Sequence, residues 1–154
     1  FPGDIKCEAF NEEPLHQKGY IFIFGGWNNT VNRIARIEEH GDGPGARVVD
    51  GKRFPVQADH KYRMKILRIG NTVAMFADDR LLVQMTDHEL IRGSYFGFND
   101  WEAHLRFDEL AVFSLKAKPK PKSAETPNRR SNTRAQPSAK TKKAPAKPRA
   151  KPHQ

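Results

Sequence analysis

The sequence predicts an all-β protein, an antiparallel β-sandwich that is followed by a basic tail. Short runs of alternating apolar and polar residues recur between His60 and Phe113, and turn signals separate them at close spacing, which is typical of all-β folds. The run 20–24 is instead apolar at every position, as expected for a central strand that is covered on both faces. The third observation is the distribution of charge, which divides the chain at Ala117.

The basic character of the chain belongs to its C-terminal tail. From Ala117 onward twelve Lys and Arg residues accompany one acidic residue, Glu125, whereas the first 116 residues hold 15 basic and 17 acidic side chains. Seven of the eleven prolines also lie in the tail, which contains no large aliphatic or aromatic residue. Such a segment buries too little apolar surface to offset the entropy of ordering. We predict a sandwich domain over residues 1–116 and a disordered cationic tail over residues 117–154.

Period-two alternation predicts the other strands. In the first half of the domain they cover residues 4–10, 31–39 and 47–49, and Asp50-Gly51 is predicted to form a hairpin turn. In the second half a three-stranded meander turns at Gly70-Asn71 and at Asp78-Asp79. Its third strand is predicted to point three apolar side chains into the core, those of Leu81, Val83 and Met85.

The end of the domain is predicted to contain one further long strand. Ala103, Leu105 and Phe107 share a face in this strand, and the alternation shifts at Asp108-Glu109, which indicates a β-bulge. A single helical turn is expected earlier, over residues 87–90.

This order of elements resembles the C-terminal half of the concanavalin A-like lectin and glucanase jelly rolls, from about Gly3 to Leu115. The matching features are the aromatic-led strand at Tyr62, the Gly70-Asn71 hairpin, the acidic turn Asp78-Asp79, the segment 93–98 and the closing run 107–112. The resemblance implies a jelly roll that lacks N-terminal strands present in relatives. Many relatives have Asp-Gly at the acidic turn, so the type of the hairpin at Asp78-Asp79 stays open.

Two strand ends have the composition of a sugar-binding surface. Sugars present apolar C–H faces edged by hydroxyls, so a site for them combines an exposed aromatic ring with planar hydrogen-bonding side chains. The candidate ligand-binding residues are Trp27, Asn28, Asn29, Arg36, Glu38 and His40 near the first strand end, and Asn99, Asp100 and Trp101 near the second. The alternative is that the indoles close the ends of the sandwich and the amides cap turns.

A second resemblance concerns the passage GGWNNT and the following NRIARIEEHG. It is similar to bacterial members of the superfamily that are linked to polysaccharide use, including 3-keto-disaccharide hydrolases. This resemblance implies a glycan ligand and an extracellular or periplasmic location. We therefore expect a carbohydrate-binding domain that is noncatalytic in isolation and acts in polysaccharide recognition or degradation.

The alternative is a glycosidase-type hydrolase. Most glycosidases use two carboxylates that flank the scissile bond, and jelly-roll glucanases commonly supply them from one strand at i, i+2, i+4 spacing. Here Arg36 and His40 stand two residues from Glu38, so that pattern is missing. Glu38 would act as acid or base with His40 nearby and a second carboxylate from Asp100 or Glu102. The stripe of Arg36, Glu38 and His40 is equally typical of an ion pair on a solvated face.

No metal site or other cofactor is expected. Lectin-like jelly rolls often bind calcium, but the available carboxylates of Asp42, Asp50, Asp87 and Asp108 show no calcium-loop spacing. The six histidines, at positions 16, 40, 60, 88, 104 and 153, lack the spacing of a zinc site. The single cysteine, Cys7, excludes an intrachain disulfide and is predicted to be a small buried apolar residue.

The tail offers a third functional alternative, which is weak polyanion binding. Its repeats PKPKPKS and KTKKAPAKPRAKP resemble the Lys/Ala/Pro-rich arms of linker histones and bacterial nucleoid proteins. Such an arm binds DNA in a salt-sensitive way without reading its sequence. It can also hold a domain near anionic cell-wall polymer or lipid, or act as a linker.

Two further expectations concern the context of the chain. No run approaches the roughly 20 apolar residues that a membrane-spanning helix needs, so no transmembrane segment is expected. The chain begins at Phe1 without a basic and then apolar leader, which predicts a processed, trimmed or partial chain. The oligomeric state is left open.

Overall fold

The computed structural model describes residues 3–116 of the chain. The chain divides into two units, Phe1–Ala111 and Val112–Gln154. The strands of the described residues all lie in the first unit, and residues 112–116 of the second form neither helix nor strand. No helix within residues 3–116 has the length and apolarity that crossing a membrane requires. The predicted disorder of the tail, residues 117–154, falls outside the described residues.

The first unit consists of eight strands and one short helical turn. In chain order these are β1 (Asp4–Asn11), β2 (Tyr20–Gly25), α1 (Gly26–Asn29), β3 (Val31–Arg36), β4 (Arg47–Asp50), β5 (Met64–Ile69), β6 (Thr72–Ala77), β7 (Arg80–Thr86) and β8 (Tyr95–Trp101). They form a five-stranded sheet in the order β4-β3-β2-β1-β8 and a three-stranded sheet in the order β5-β6-β7. Every pairing is antiparallel, so the prediction of an antiparallel β-sandwich is confirmed.

The main core lies between the two sheets. Tyr20, Phe22 and Phe24 of β2 pack there against residues of the three-stranded sheet that include Val73 and Met75. All five side chains are fully buried, and burying a large apolar side chain contributes about 1.5–3 kcal/mol. The core therefore depends most on β2.

The opposite face of β2 is also buried, as the run of apolar residues predicts. Ile21 and Ile23 form a second, smaller cluster with Ala35 of β3. The face of the five-stranded sheet that carries them, turned away from the three-stranded sheet, is called the outer face below.

Two-residue turns join the strands of the meander, as predicted. At the second turn Asp78 and Asp79 have φ angles of 46° and 62°. Positive φ at both central residues is the type I′ geometry, whose twist matches that of the flanking strands. Aspartate tolerates this left-handed conformation better than most residues, so the acidic turn forms a tight hairpin without glycine.

The bulge in the meander was not predicted. The ladder between β6 and β7 shifts between Met75 and Phe76. As a result Leu82 enters the core in place of Leu81, while Val83 and Met85 point inward as expected. A bulge places one extra residue in one strand and so reverses the facing of the residues before it.

Three local predictions at the ends of elements are wrong. Residues 102–116 form no strand, so they contain no bulge at Asp108-Glu109. Phe107 instead stacks on Phe98, with 3.7 Å between ring centroids. Residues 87–90 form a bend without a helical turn. Asp50-Gly51 does not start a hairpin, because the chain crosses there to the other sheet.

This crossing gives the first testable prediction. Lys52 donates its backbone N–H to the carbonyl of Leu82, and a Cβ atom on Gly51 would lie 2.1 Å from that same carbonyl oxygen. We expect Gly51→Ala to lower the free energy of unfolding by about 1–3 kcal/mol, the usual cost of overpacking. Urea denaturation of the full chain measures the change.

The matched control is Gly97→Ala, because a Cβ atom there would meet no atom within 4 Å. It should leave the stability equal or slightly higher, since glycine weakens a strand interior. Equal stability of Gly51→Ala and the wild type would contradict the crossing geometry.

Candidate functional site

Three charged residues of β1 point to the outer face. Asp4, Lys6 and Glu8 alternate along the strand, and each is less than one tenth exposed. These three residues are not among the functional candidates predicted from the sequence. The signal was available, because a strand that alternates charges with Ile5 and Cys7 beside a wholly apolar strand must place those charges on a buried surface.

Lys6 is the centre of an ion network on this face. Its Nζ lies 2.9 Å from Oε2 of Glu39 and 3.4 Å from Oδ2 of Asp4. Glu39 follows β3 and Lys6 lies on β1, so their ion pair crosses over β2, which lies between these strands. Burial disfavours the charged ammonium, but the two carboxylates outweigh it and raise the pKa of Lys6. Lys6 therefore stays protonated and holds both acids in place.

The neighbouring acid responds differently. Burial raises the pKa of Asp4, although Lys6 and the backbone N–H of Trp101 act in the opposite direction. The carboxylate of Asp4 accepts that N–H at 2.8 Å. Asp4 therefore fixes the last residue of β8 to the first residue of β1.

Trp27 lies on the outer face at the end of β2. The guanidinium of Arg33 lies 4.4 Å from the centre of the indole, and the ring of His40 packs edge-on at 5.7 Å. Arg33 is itself held by a bidentate pair with Asp50 and by the carbonyl of Glu39. The indole is still 41% exposed. Arg33 and His40 therefore hold the ring while part of it stays open to solvent.

The backbone that presents Trp27 is strained. Trp27, Asn28 and Asn29 have φ angles of 47°, 58° and 61°, which makes α1 a left-handed turn of three consecutive non-glycine residues. Each such residue costs about 1–2 kcal/mol for most side chains and less for Asn. The side chain of Asn29 stabilises the turn by bonding both the N–H and the carbonyl of Val56, each at 2.7 Å.

A buried amide that the sequence analysis overlooked supports the same region. Asn32, on β3, accepts the N–H of Gly25 and donates to the carbonyls of Lys52 and Phe54. Asn29 and Asn32 thus have structural roles, as the turn-capping alternative for the amides proposed. Asn28 is exposed beside Trp27.

The second predicted cluster lies at the same end of the sheet as the first. Strand β1 pairs Ile5 with Phe24 of β2 on one side and Asp4 with Trp101 of β8 on the other. The ends of β2 and β8 are therefore about two strand spacings, roughly 10 Å, apart. The indole of Trp101 is 67% exposed, and the sheet brings the two tryptophans together although 74 positions separate them in the sequence.

A continuous set of contacts connects the two strand ends. Trp27 contacts His40, whose Nε2 lies 3.5 Å from Oε1 of Glu39. Glu39 binds Lys6, Lys6 binds Asp4, and Asp4 binds the backbone of Trp101. We call these six residues the outer-face site. Asn99 is adjacent, since it pairs with Lys6 across the β1–β8 ladder, while Asp100 alternates to the other face and accepts the N–H of Ala103.

Arg36 is not part of the outer-face site. It points to the face that packs on the three-stranded sheet, and its Nε donates to Asp87 at 2.9 Å. Asp87 is buried and also binds Arg47 and the hydroxyl of Tyr20. Burial alone would raise the pKa of Asp87, but the hydrogen bonds from Tyr20, the backbone of Glu89 and Arg36 lower it. This cluster joins the sheets, and its buried carboxylate is paired with two guanidinium groups.

The predicted stripe of Arg36, Glu38 and His40 does not form. Strand β3 ends at Arg36, and Ile37 has a φ of 70°, so alternation stops and Ile37 turns into the main core. Glu38 instead caps the following turn by accepting the N–H groups of His40 and Asp42. Those bonds, chiefly the one from Asp42, lower the pKa of Glu38.

The two cavities described by the structure lie on both sides of Arg36. One of about 300 Å³ is lined by Arg36, Arg47 and Asp87, among others, and one of about 450 Å³ by Lys18, Ile37 and Leu90, among others. Neither of these two includes a tryptophan. The indoles of Trp27 and Trp101 are exposed on the outer face, which suits a ligand that lies flat on that surface.

The four carboxylates considered for calcium do not converge. Asp50 pairs with Arg33, Asp87 with Arg36 and Asp108 with Lys61, while Asp42 lies in the turn capped by Glu38. Within residues 3–116 no group of three His, Cys, Asp or Glu side chains is arranged to hold a metal ion.

The fold and the site define a class, a two-sheet antiparallel sandwich with a paired-charge surface between two exposed indoles. The chain belongs to the family described as a domain of unknown function, DUF6250, whose model matches residues 12–110. The match includes both tryptophans and Glu39, and the whole of β1 precedes it. A comparison with curated proteins and with solved structures finds no match.

The buried cluster around Asp87 predicts a specific alkaline response. Burial, and secondarily the carboxylate of Asp87, raises the pKa of Tyr20 to about 12 from 10.0. A raised pKa in the folded state gives stability that is complete below the unfolded pKa and is lost as the pH rises through the folded one. Tyr20→Phe should cost about 2 kcal/mol at neutral pH, and the difference from wild type should shrink between pH 10 and about 12.

Chemical denaturation at a series of pH values measures both curves. The acid side has the opposite sign, because the lowered pKa of Asp87 gives stability that is present above 3.8 and lost as the pH falls. The variant Asp87→Asn should therefore lose less stability in acid than the wild type. Parallel curves for all three proteins would argue against the cluster.

The left-handed turn gives a further prediction. Asn29→Ala removes both bonds to Val56 and should lower the free energy of unfolding by about 2 kcal/mol. Asn28→Gly is the control, because glycine adopts positive φ without strain, and it should change stability by less than about 1 kcal/mol. Thermal denaturation of both variants tests this, and the reverse ranking would refute the role given to Asn29.

Proposed function

We propose that the protein recognises carbohydrate through the outer-face site and is noncatalytic in isolation. The observation that carries the proposal is that two exposed indoles, Trp27 and Trp101, stand at one end of one sheet and are connected by a rigid set of paired charges. Exposed indoles are suited to the apolar faces of sugars. Carboxylate, imidazole and amide groups between and beside them offer both donors and acceptors for hydroxyls.

Preorganisation supports this function over a purely structural role for Trp27. An indole that only sealed the sandwich would be covered, and its backbone would not need three left-handed residues. Strain of this kind persists only where surrounding contacts fix it, and it is concentrated at functional sites. Here Asn29 and Arg33 fix the backbone and the ring, so the ring is already in place before a ligand binds.

The hydrolase alternative receives less support from the geometry. Glu38 is held as a carboxylate by two backbone N–H groups, and its lowered pKa is unsuited to a proton donor near neutral pH. Asp100, the proposed second carboxylate, points to the inner face of β8 and accepts the N–H of Ala103. His40 contacts the indole of Trp27 and serves the binding surface better than catalysis.

The concanavalin A-like assignment remains part of the same proposal. The antiparallel sandwich and the order of its strands are compatible with it, and the glycan ligand and the extracellular or periplasmic location would follow by analogy. Analogy between folds does not establish function, so the exposed indoles carry the proposal.

Binding to a glycan array and to soluble β-glucan, xylan and galactomannan tests the proposal. The full chain should bind at least one of these neutral glycans. Trp27→Ala and Trp101→Ala should each weaken binding by about tenfold or more, because a stacking side chain contributes about 1–3 kcal/mol. Neither variant should alter the thermal midpoint greatly, since both indoles are exposed.

Ile69→Ala is the matched control. Ile69 is a large exposed apolar residue of the three-stranded sheet, and its loss should leave glycan binding unchanged. A folded wild-type chain that binds none of the glycans would count decisively against carbohydrate recognition.

We infer a second activity, weak polyanion binding, from the charge of residues 117–154, where twelve basic residues accompany one acidic residue. Replacing Lys140, Lys142 and Lys143 by serine should reduce retention on heparin and DNA at low salt. The slope of affinity against salt should also fall by about two to three ion equivalents. An unchanged slope would assign the polyanion contacts to another part of the chain.

A further inference from the structure

Gly97 is an unusual glycine in this fold. It lies in the middle of β8, on the outer face, directly opposite Glu8. Of the eleven glycines, it is the one with neither a positive φ angle nor a neighbouring atom within 4 Å of an added Cβ. Gly51 and Gly93, by contrast, are packed against backbone at about 2 Å. Packing and backbone conformation therefore give no reason for glycine at position 97.

Glycine at such a position has a cost. In a strand interior it lowers stability by about 0.5–1 kcal/mol relative to alanine. A glycine within a strand marks a bulge, a tight bend or a site where a ligand or another backbone comes close. The bulge of this ladder lies beyond Gly97, between Ala9 and Asn11 of β1, and Gly97 itself pairs in register with Glu8. The open space over Gly97 is thus a candidate contact surface.

This space continues the outer-face site. Gly97, Asn99 and Trp101 alternate along β8 and point to the same face, so the strip runs about 13 Å from the exposed indole. Its far end is bordered by Glu8, whose carboxylate is almost fully buried and contacts His16, Asn11 and the N–H of Gln17. His16, in the loop after β1, contacts Glu8 at this end of the strip, and its side chain is half exposed. The strip is therefore open above, with an aromatic ring at one end and an imidazole at the other.

The charges of this face limit the kind of ligand. Lys6 is paired with Asp4 and Glu39, and Arg33 with Asp50. Together with Glu8, the described outer face has four carboxylates and two permanent cations, and both cations are already engaged. A ligand with carboxylate or sulfate groups would meet a surplus of negative charge without a free cation.

We propose that the strip over Gly97, Asn99 and Trp101 is a subsite for a neutral oligosaccharide. This inference rests on the proposed carbohydrate function. The saccharide lies along β8 from the indole of Trp101 towards His16, and the missing side chain of Gly97 provides the room for it. Gly97 is the residue that determines how far the bound saccharide can extend along β8.

A steric block tests the subsite. Using the full chain and a neutral oligosaccharide series from the glycan that the wild type binds, calorimetry should show affinity rising with length. Gly97→Leu should abolish that rise and weaken the longest oligomer by about tenfold, while the shortest oligomer binds as before. Gly97→Ala should show a smaller loss in the same direction.

The controls separate this proposal from the one that it rests on. Gln84→Leu adds the same side chain at an exposed position of β7 and should change nothing, and thermal midpoints verify that each variant is folded. If Trp27→Ala abolishes binding but Gly97→Leu binds long oligomers as tightly as wild type, the subsite is refuted and carbohydrate recognition stands. If the wild type binds no saccharide, both proposals fail.

An oligouronide of equal length tests the charge argument. It should bind more weakly than the neutral oligomer at physiological salt. Tighter oligouronide binding that is lost in Trp27→Ala would overturn the neutral ligand class, whereas oligouronide binding that survives in Trp27→Ala and disappears at high salt belongs to the basic tail and agrees with the proposal.

Discussion

The structure depends on the complete burial of β2. Its aromatic residues Tyr20, Phe22 and Phe24 fill the space between the sheets, and Ile21 and Ile23 are equally inaccessible on the outer face. Burial of Ile21 and Ile23 is the harder requirement, because no further sheet of the described residues covers the outer face. Val48 of β4 packs against Ile21 and Ile23 there, and the loop after β3 places Glu39 across β2 onto Lys6. A polar ion pair thus lies over β2 where another sandwich would have a second apolar layer.

This arrangement explains why the outer face is both buried and polar. A buried charge is tolerated when its partners are in place, and losing one partner is costly. Lys6 has two partners, and one of them, Asp4, also fixes the end of β8. The requirement to cover β2 therefore produces a rigid line of hydrogen-bonding groups across three strands. The tryptophans at its two ends then give that line the composition of a recognition surface.

Much of the fold could be predicted from the sequence because the period of two is strong where one face of a strand is buried. It predicted β1, β5 and β6, while the unbroken apolar run predicted β2 and the turn residues predicted both turns of the meander. It failed at Leu81, where a bulge reversed the facing, and after Trp101, where apolar alternation exists without a strand partner in residues 102–116. A pattern records which residues are apolar but not which strand is available for pairing.

The site was predicted less completely, for two physical reasons. Arg36, Glu38 and His40 have strand spacing, but the left-handed backbone at Ile37 sends them to three different places, and a single φ angle is not visible in hydrophobic periodicity. Asp4, Lys6 and Glu8 were overlooked because charges on an alternating strand normally face solvent. Their partners come from distant segments: Glu39 contacts Lys6, the loop after β1 contacts Glu8, and the end of β8 contacts Asp4.

The exposure of Trp27 and the open space over Gly97 have a common physical meaning. Each feature lowers the stability of the fold locally. Positive φ angles do so at Trp27 and a glycine within a strand does so at Gly97, and the packing of the described residues does not compensate for either. Natural sequences are locally consistent with their folds except where function demands otherwise. Both exceptions lie on one face of one sheet. Phe10 and Ile37 also have positive φ angles, of 64° and 70°, but their side chains pack against the main core. The outer face is therefore where the sequence departs from what stability alone would select.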